Sequence, residues 1–305
     1  MDIRLPPLTS STHDRDRSAE GPVTRNTPPR PLSQQETLVD LLAQSGRATV
    51  PIRTKFVQRG RGKATSPGPL ASFIASHDGR ALDAYLFVHA LVSSSPWDCE
   101  YPSGTWIRAF GLMETATVES ARGTVSKIMK RLEDRKLIER GRSGRMATVT
   151  LLCEDGSGEK YKRPVSKDDT WFHLPHAYWL DEHYRKLSLP AKAMLLVALS
   201  LSDDFYLPLE KADPWYGISG DSAGRGLREL GNEGLLEYRQ GWVKNQRSDT
   251  GWIEQRRYAL TGPYATAARL AAVGQRRTGA DAPKRPKRKI RNKKTVKAKP
   301  QVGAA

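Results

Sequence analysis

The stretch that decides the fold runs from Thr117 to Leu152 and reads TVESARGTVSKIMKRLEDRKLIERGRSGRMATVTLL. Its first half repeats apolar residues at helical spacing, which predicts a helix with one buried face. These apolar residues are Val118, Ala121, Val125, Ile128, Met129 and Leu132. Two short extended runs follow, Leu137–Arg140 and Ala147–Leu152, joined by a glycine-rich turn that carries two arginines. The sequence therefore predicts a basic helix followed at once by a basic β-hairpin.

This order of elements resembles winged-helix (helix-turn-helix) DNA-binding proteins, the MarR-like transcriptional regulators especially. The resemblance is clearest over Thr124–Arg142, TVSKIMKRLEDRKLIERGR. It implies that a recognition helix at about 118–135 reads base edges in the major groove. The wing at 141–145 would lie along the adjacent backbone or minor groove. The residues expected to contact DNA are Ser120, Arg122, Thr124, Lys127, Lys130, Arg131, Arg142 and Arg145.

Two further helices are predicted ahead of this stretch. Asp78 is placed to cap a helix that runs to about Ser93, and a second helix covers Ser103–Phe110. His89 falls on the apolar face of the first of these helices, which favours a core histidine over a metal ligand. Three helices, a strand, a turn and a strand complete a first module at residues 71–153.

A second module is predicted at residues 188–262, because the chain repeats itself. At a shift of 98 residues, apolar and basic positions agree from Thr124, which falls on Ser222, to Glu139, which falls on Glu237. The helix of this module is less basic, so we expect it to contact the DNA backbone or to dimerise. Its expected DNA contacts are Arg225, Arg228, Lys244 and Arg247. The predicted fold class is α+β, mainly α, with two tandem winged-helix modules between disordered tails.

The segments outside the two modules differ in composition. Residues 1–70 are rich in Pro, Ser, Thr and Arg, and we expect a disordered basic region. Within it Ser33 and Glu36 have capping-box spacing, which predicts a short helix over 33–44. Residues 154–187 are expected to be a linker followed by an aromatic packing segment. Residues 263–305 are expected to be a disordered Lys/Arg-rich tail that clamps DNA without specificity.

The net charge of +17 is unevenly distributed. Residues 275–305 carry 12 basic side chains against one Asp, whereas residues 69–274 carry 27 against 26 acidic ones. The overall pI therefore does not show that the folded part binds nucleic acid. The local excess of positive charge between Arg122 and Arg145 is the stronger indication of DNA contact.

Several function classes have no support in the sequence. The two cysteines, Cys99 and Cys153, form no CxxC pair, and no histidine spacing indicates a metal site. GRGK at 60–63 lacks the context of a phosphate loop, and no nuclease motif is present, so we expect neither a cofactor nor catalysis. No apolar run reaches the length of a membrane span, and no small-molecule ligand is evident. A cytoplasmic, nucleoid-associated protein is expected.

Double-stranded DNA is the expected partner, and the sequence leaves open whether the protein forms a homodimer. The first functional hypothesis is a transcriptional regulator that recognises a specific sequence. A replication initiator of a plasmid or mobile element is the alternative, because such proteins often carry two unequal winged-helix modules. A third is a winged-helix component of a chromosome-partition complex that binds protein.

Overall fold

Helix α1 (Gln34–Gln44) is the first element in the computed structural model, which describes residues 30–60, 62–113, 116–144, 146–165 and 169–274. The Ser33 hydroxyl accepts a hydrogen bond from the Glu36 amide at 3.2 Å, and the Glu36 carboxylate accepts one from the Ser33 amide at 2.8 Å. This reciprocal capping box fixes the start of the helix. Three leucines bury its inner face in the core, so the helix predicted over 33–44 is confirmed.

Residues 47–60 and 62–70 are ordered, contrary to expectation. Strand β1 (Thr49–Arg53) is buried along its whole length and pairs antiparallel with Trp171–Pro175. The other elements of this segment are β2 (Gln58–Arg59), β3 (Ser66–Pro67) and α2 (Leu70–Ala75). The expected disorder of 1–70 is therefore wrong for 47–60 and 62–70; residues 1–29 and Arg61 lie outside the described residues. The prediction failed because β1 is buried by a partner strand that is distant in sequence.

The first module contains every element predicted for it and one more strand. Its elements are α3 (Gly79–Leu91), β4 (Asp98–Tyr101), α4 (Ser103–Ala109), α5 (Val118–Asp134), β5 (Ile138–Ser143) and β6 (Met146–Leu151). The strands form an antiparallel sheet in the order β4-β6-β5. β4 was not predicted, because it has only four residues and gains its order by pairing with β6.

Parts of the described residues 154–165 and 169–187 pack into the body of the protein. Glu154 is fully buried and Tyr161 is 4 % exposed, so a free linker is the wrong description of this segment. The aromatic part is confirmed as a packing segment, since Phe172, Tyr178 and Trp179 all lie in the core. It forms β7 (Trp171–Pro175), α6 (Ala177–Leu180) and α7 (His183–Lys186).

The second module has the same order of elements as the first. They are α8 (Leu189–Ser200), β8 (Phe205–Tyr206), α9 (Ala212–Tyr216), α10 (Gly220–Asn232), β9 (Leu236–Lys244) and β10 (Trp252–Leu260). Its sheet order, β8-β10-β9, also matches that of the first module. A final helix, α11 (Thr266–Gly274), corrects the expected disorder of 263–274. Its buried Arg269 donates to the carbonyl oxygens of Tyr264 and Leu199, and residues 275–305 lie outside the described part.

The shift of 98 residues is confirmed at the turn that joins helix to hairpin. Lys136 and Gly234 occupy equivalent positions there, and both have positive φ, 57° and 69°. Leu132 and Leu230, one turn earlier, are both fully buried. The two helices differ at their other ends, since α10 begins about one turn later than the shift predicts. The chain therefore contains two copies of one arrangement, as the sequence repeat indicated.

A partly buried ion pair joins the two modules. Lys192 on α8 donates to Asp83 on α3 at 2.6 Å, and the hydroxyl of Tyr178 donates to the other oxygen of the same carboxylate at 2.7 Å. Burial raises the pKa of Asp83, against the opposing effect of Lys192. Separating the modules would break this charge-assisted pair and the hydrogen bond from Tyr178. The pair therefore opposes relative movement of the two modules.

Candidate nucleic-acid interface

Helix α5 presents the basic face that the sequence predicted. Thr117 caps it by accepting a hydrogen bond from the Ser120 amide. Its buried side consists of Ala121, Val125, Ile128, Met129 and Leu132. Val118, which was assigned to the same apolar face, is instead 46 % exposed, because it precedes the first turn that touches the core.

Three of the predicted cations have free charged groups. Arg122 and Lys127 on α5 and Arg142 on β5 are exposed, and none forms an ion pair with an acidic side chain in the described parts of the chain. Ser120 is exposed nearby, while Thr124 is half-buried and donates its hydroxyl to the Ser120 carbonyl oxygen at 3.0 Å. Arg145 lies outside the described residues. Free cations on a helix and its neighbouring strand are suited to phosphate groups.

A groove of about 530 Å³ separates the start of α5 from the hairpin β5–β6. Arg122, Arg140 and Arg142 line it, above a floor that includes Val125 and Met129. Arg140 was missed by the sequence reasoning, although strand alternation places it on the same face as Arg142. Its Nε donates to Glu133 at 2.7 Å, and this hydrogen bond lowers the pKa of that carboxyl group. Three guanidinium groups therefore converge on one groove.

Arg131, which was predicted to contact DNA, forms an ion pair within the protein. Its Nε and Nη2 donate to the two oxygens of Asp78, at 2.7 and 3.0 Å. Because Asp78 caps α3, this bidentate pair links α5 to the start of α3. Burial alone would raise the pKa of Asp78, but the hydrogen bonds and charge of Arg131 hold it below its ordinary value. The DNA contact of Arg131, whose side chain is 42 % exposed, stays a prediction, and the DNA-binding proposal does not rest on it.

Arg131→Ala is expected to weaken folding while leaving DNA affinity nearly intact. Loss of charged hydrogen bonds to a mostly buried partner costs about 1–3 kcal/mol of unfolding free energy, and Arg135, 3.2 Å from Asp78, offsets part of it. Arg122→Ala on the same helix is the matched control, with little change in stability and a clear loss of DNA affinity. Urea denaturation and a DNA titration of both variants measure this. If Arg131→Ala instead lowered DNA affinity and left stability unchanged, Arg131 would be a DNA contact.

Lys130 is engaged only weakly. Its ammonium lies 2.9 Å from Asp134 one turn later, and both side chains are more than half exposed. Such a surface pair contributes little and is readily exchanged for a phosphate contact. Lys130 can therefore still contact DNA, as the sequence predicts, but it would have to leave Asp134 to do so.

The second module places its predicted cations less favourably. Arg225 lies 3.3 Å from Asp221, and Lys244 lies over the ring of Trp252. Arg228 lines a groove of about 610 Å³ between α10 and its hairpin, and Arg247 is exposed near the hairpin tip. Arg256, which the sequence reasoning did not select, lines the same groove.

The position equivalent to Arg131 holds an acid in the second module. Glu229 accepts a hydrogen bond from the Ser188 amide at 2.7 Å and another from the Ser188 hydroxyl at 2.5 Å. Ser188 caps α8, just as Asp78 caps α3. In each module the residue at this position therefore binds the cap of the module's first helix, with a cation in the first module and an acid in the second. This equivalence supports a structural role for Arg131.

Over the described ranges, no group of three or more potential metal ligands occurs, and no helix is long and apolar enough to cross a membrane. No protein-family model, curated protein or solved structure was found to match the chain. Among the described residues, the groove beside α5 with its three arginines is the surface that best indicates a function.

Proposed function

We propose that this protein binds double-stranded DNA in a sequence-specific manner through the first module. In this proposal α5 is the recognition helix in the major groove, and the β5–β6 hairpin is a wing along the adjacent backbone. The observation that carries the proposal is the set of exposed cations Arg122, Lys127 and Arg142, none of which pairs with an acidic side chain of the described residues. Arg122 and Arg142 line the groove between helix and hairpin, and Lys127 lies elsewhere on the exposed side of α5. A helix and hairpin with free cations on one side can follow the surface of a duplex.

The position of each side chain on α5 or the hairpin indicates whether it would contact a base or a phosphate. Ser120, Thr124, Lys127 and Lys130 lie on the early and middle turns of α5, the part of a recognition helix that reaches base edges. Arg122, Arg140 and Arg142 line the groove towards the hairpin and are suited to phosphates. Base contacts would set specificity, and phosphate contacts would supply affinity that falls with salt.

The favoured role is that of a transcriptional regulator. Replication initiation on a plasmid or mobile element is the second candidate, favoured by the two unequal modules with one sheet order and different surface charge. In either role the first module would select the site.

Selection of bound fragments from genomic DNA tests the proposal. The full chain is expected to enrich one sequence motif, and the triple variant Arg122→Ala/Lys127→Ala/Arg142→Ala is expected to enrich none. Equal enrichment by both proteins would exclude this interface. A single palindrome in a promoter would support the regulator, whereas direct repeats beside an AT-rich segment would support the initiator.

A further inference from the structure

The hairpin of the second module is longer than that of the first and extends past its sheet. Each of its strands has nine residues, against six for β5 and β6. The third strand, β8, pairs only with Arg257 and Tyr258, at the base of β10. Towards its tip the hairpin is therefore two-stranded. An isolated two-stranded ribbon gains little from burial and is at best marginally stable, so its exposed side chains call for a functional explanation.

Aromatic side chains line one face of this hairpin. Tyr238 pairs with Tyr258, Lys244 pairs with Trp252, and Trp242 lies between them on the same face. Trp242 is 68 % exposed, Tyr238 58 % and Trp252 44 %. We name Tyr238, Trp242, Trp252 and Tyr258 the aromatic ribbon. Large exposed aromatic groups that cluster on one face indicate a binding surface.

Cations lie among these rings. The Lys244 ammonium is 5.6 Å from the centre of the Trp252 ring, and the Arg256 guanidinium carbon is 5.3 Å from that of Tyr238. Arg228 on α10 lines the groove that continues from the ribbon. Glu254, an acid on the same face, is engaged by the side-chain amide of Gln240. The surface therefore combines flat apolar rings with an excess of positive charge.

This combination fits an unpaired strand better than a duplex. A duplex presents phosphates but hides the faces of its bases, so exposed tryptophans would find no partner there. A single strand offers both, and stacking of bases on aromatic side chains is tolerant of sequence. The hairpin of the first module contains no aromatic residue, and its groove carries arginines instead. The two hairpins are thus equipped for different forms of nucleic acid.

We infer that the second module binds single-stranded DNA, with unpaired bases stacked on the aromatic ribbon and phosphates bound by Arg228, Lys244 and Arg256. The choice of DNA over RNA rests on the duplex DNA binding proposed for the first module. The stacking surface itself does not depend on that proposal.

Fluorescence anisotropy with the full chain tests the inference. The probes are a labelled oligo-dT of about 12 nucleotides, within the range that one small domain covers, and an oligo-rU and a DNA duplex of the same length. Trp242→Ala/Trp252→Ala is expected to weaken oligo-dT binding by about tenfold for each ring lost, because base stacking is removed. Duplex affinity is expected to stay unchanged. The basic tail is the same in every variant, so differences report on the hairpin.

Two matched variants sharpen the result. Trp242→Phe/Trp252→Phe keeps flat rings and is expected to retain most of the oligo-dT affinity. Tyr206→Ala removes a 41 % exposed aromatic side chain from the opposite face of the same sheet and is expected to change nothing. If the double alanine variant fails to fold, as judged by circular dichroism, Trp242→Ala alone carries the test.

Three outcomes would overturn the inference. Unchanged oligo-dT affinity in the alanine variant would exclude the ribbon, and a preference for oligo-rU would assign it to RNA. If the variant changed the sedimentation of the protein alone but not its oligo-dT affinity, the ribbon would be a contact between two copies of the chain. Ribbon-dependent binding of oligo-dT by a protein that selects no duplex site would refute the proposed function alone.

Discussion

Replacing Arg122, Lys127 and Arg142 together by alanine is expected to abolish sequence-specific duplex binding without unfolding the protein. The three side chains are exposed and make no ion pair with a described acidic residue, so their loss leaves no buried charge without a partner. Each lost phosphate contact is expected to lower the slope of log affinity against log salt by about 0.9. Arg122 and Arg142, the two replaced residues that are assigned to phosphates, would together remove about 1.8 from the slope, a change that is easily measured.

The measurement is a titration of the selected duplex at several salt concentrations, for the wild type and the variants. Lys130→Ala is the graded comparison, because Lys130 already pairs with Asp134 and should contribute less. If the triple variant kept the wild-type slope, the basic tail would account for DNA binding. If only Lys127→Ala relaxed the sequence preference, that residue would be the one that reads a base.

Arg53→Met is expected to lower the free energy of unfolding by about 3–5 kcal/mol, the cost of leaving a buried charge unpaired. Nη1 of Arg53 lies 2.5 Å from Glu154, whose side chain is fully buried, and Nε donates to Asp169 at 2.8 Å. The guanidinium also donates to the Lys162 carbonyl oxygen at 2.6 Å. One side chain of β1 thus ties the N-terminal strand to the segment that follows the first module.

The pH dependence of stability offers a second measurement at the same cluster. Burial would raise the pKa of Glu154, but the hydrogen bond and charge of His89, with the charge of Arg53, hold it below its ordinary value of 4.5. A carboxyl group whose pKa is lower in the folded chain stabilises above the unfolded value and loses this effect as the pH falls through the folded one. The wild type should therefore lose stability below pH 4.5, and Glu154→Gln should lose this part of the dependence.

Urea denaturation at several pH values checks both expectations. Lys130→Ala, which breaks a pair exposed on both sides, is the control and should change stability little. An equally small effect of Arg53→Met would mean that water enters the cluster and compensates for the lost pair.

Local signals were sufficient to predict part of this structure. Ser33 and Asp78 each cap a helix as predicted, because a cap depends on residues within one turn. Strand β1 was missed because its burial depends on β7, and because Arg53 reads as an exposed residue until its acidic partners are in place.

The same distinction applies to the candidate site. The basic face of α5 could be predicted from helical spacing alone. The role of Arg131 could not, because Asp78 is 53 residues away in sequence and only the packing of α5 on α3 brings them together. The ribbon of the second hairpin was missed for a related reason, since Trp242 and Trp252 become neighbours only through the pairing of β9 with β10.

The partly buried pair between Asp83 and Lys192 has a geometrical consequence for any nucleic acid held by both modules. Because the pair holds the modules together, it fixes the distance between the groove beside α5 and the aromatic ribbon. A bound duplex and an adjoining unpaired strand would then meet at a fixed number of nucleotides. Inserting about five base pairs, half a helical turn, between the selected site and the unpaired strand would rotate one away from its surface.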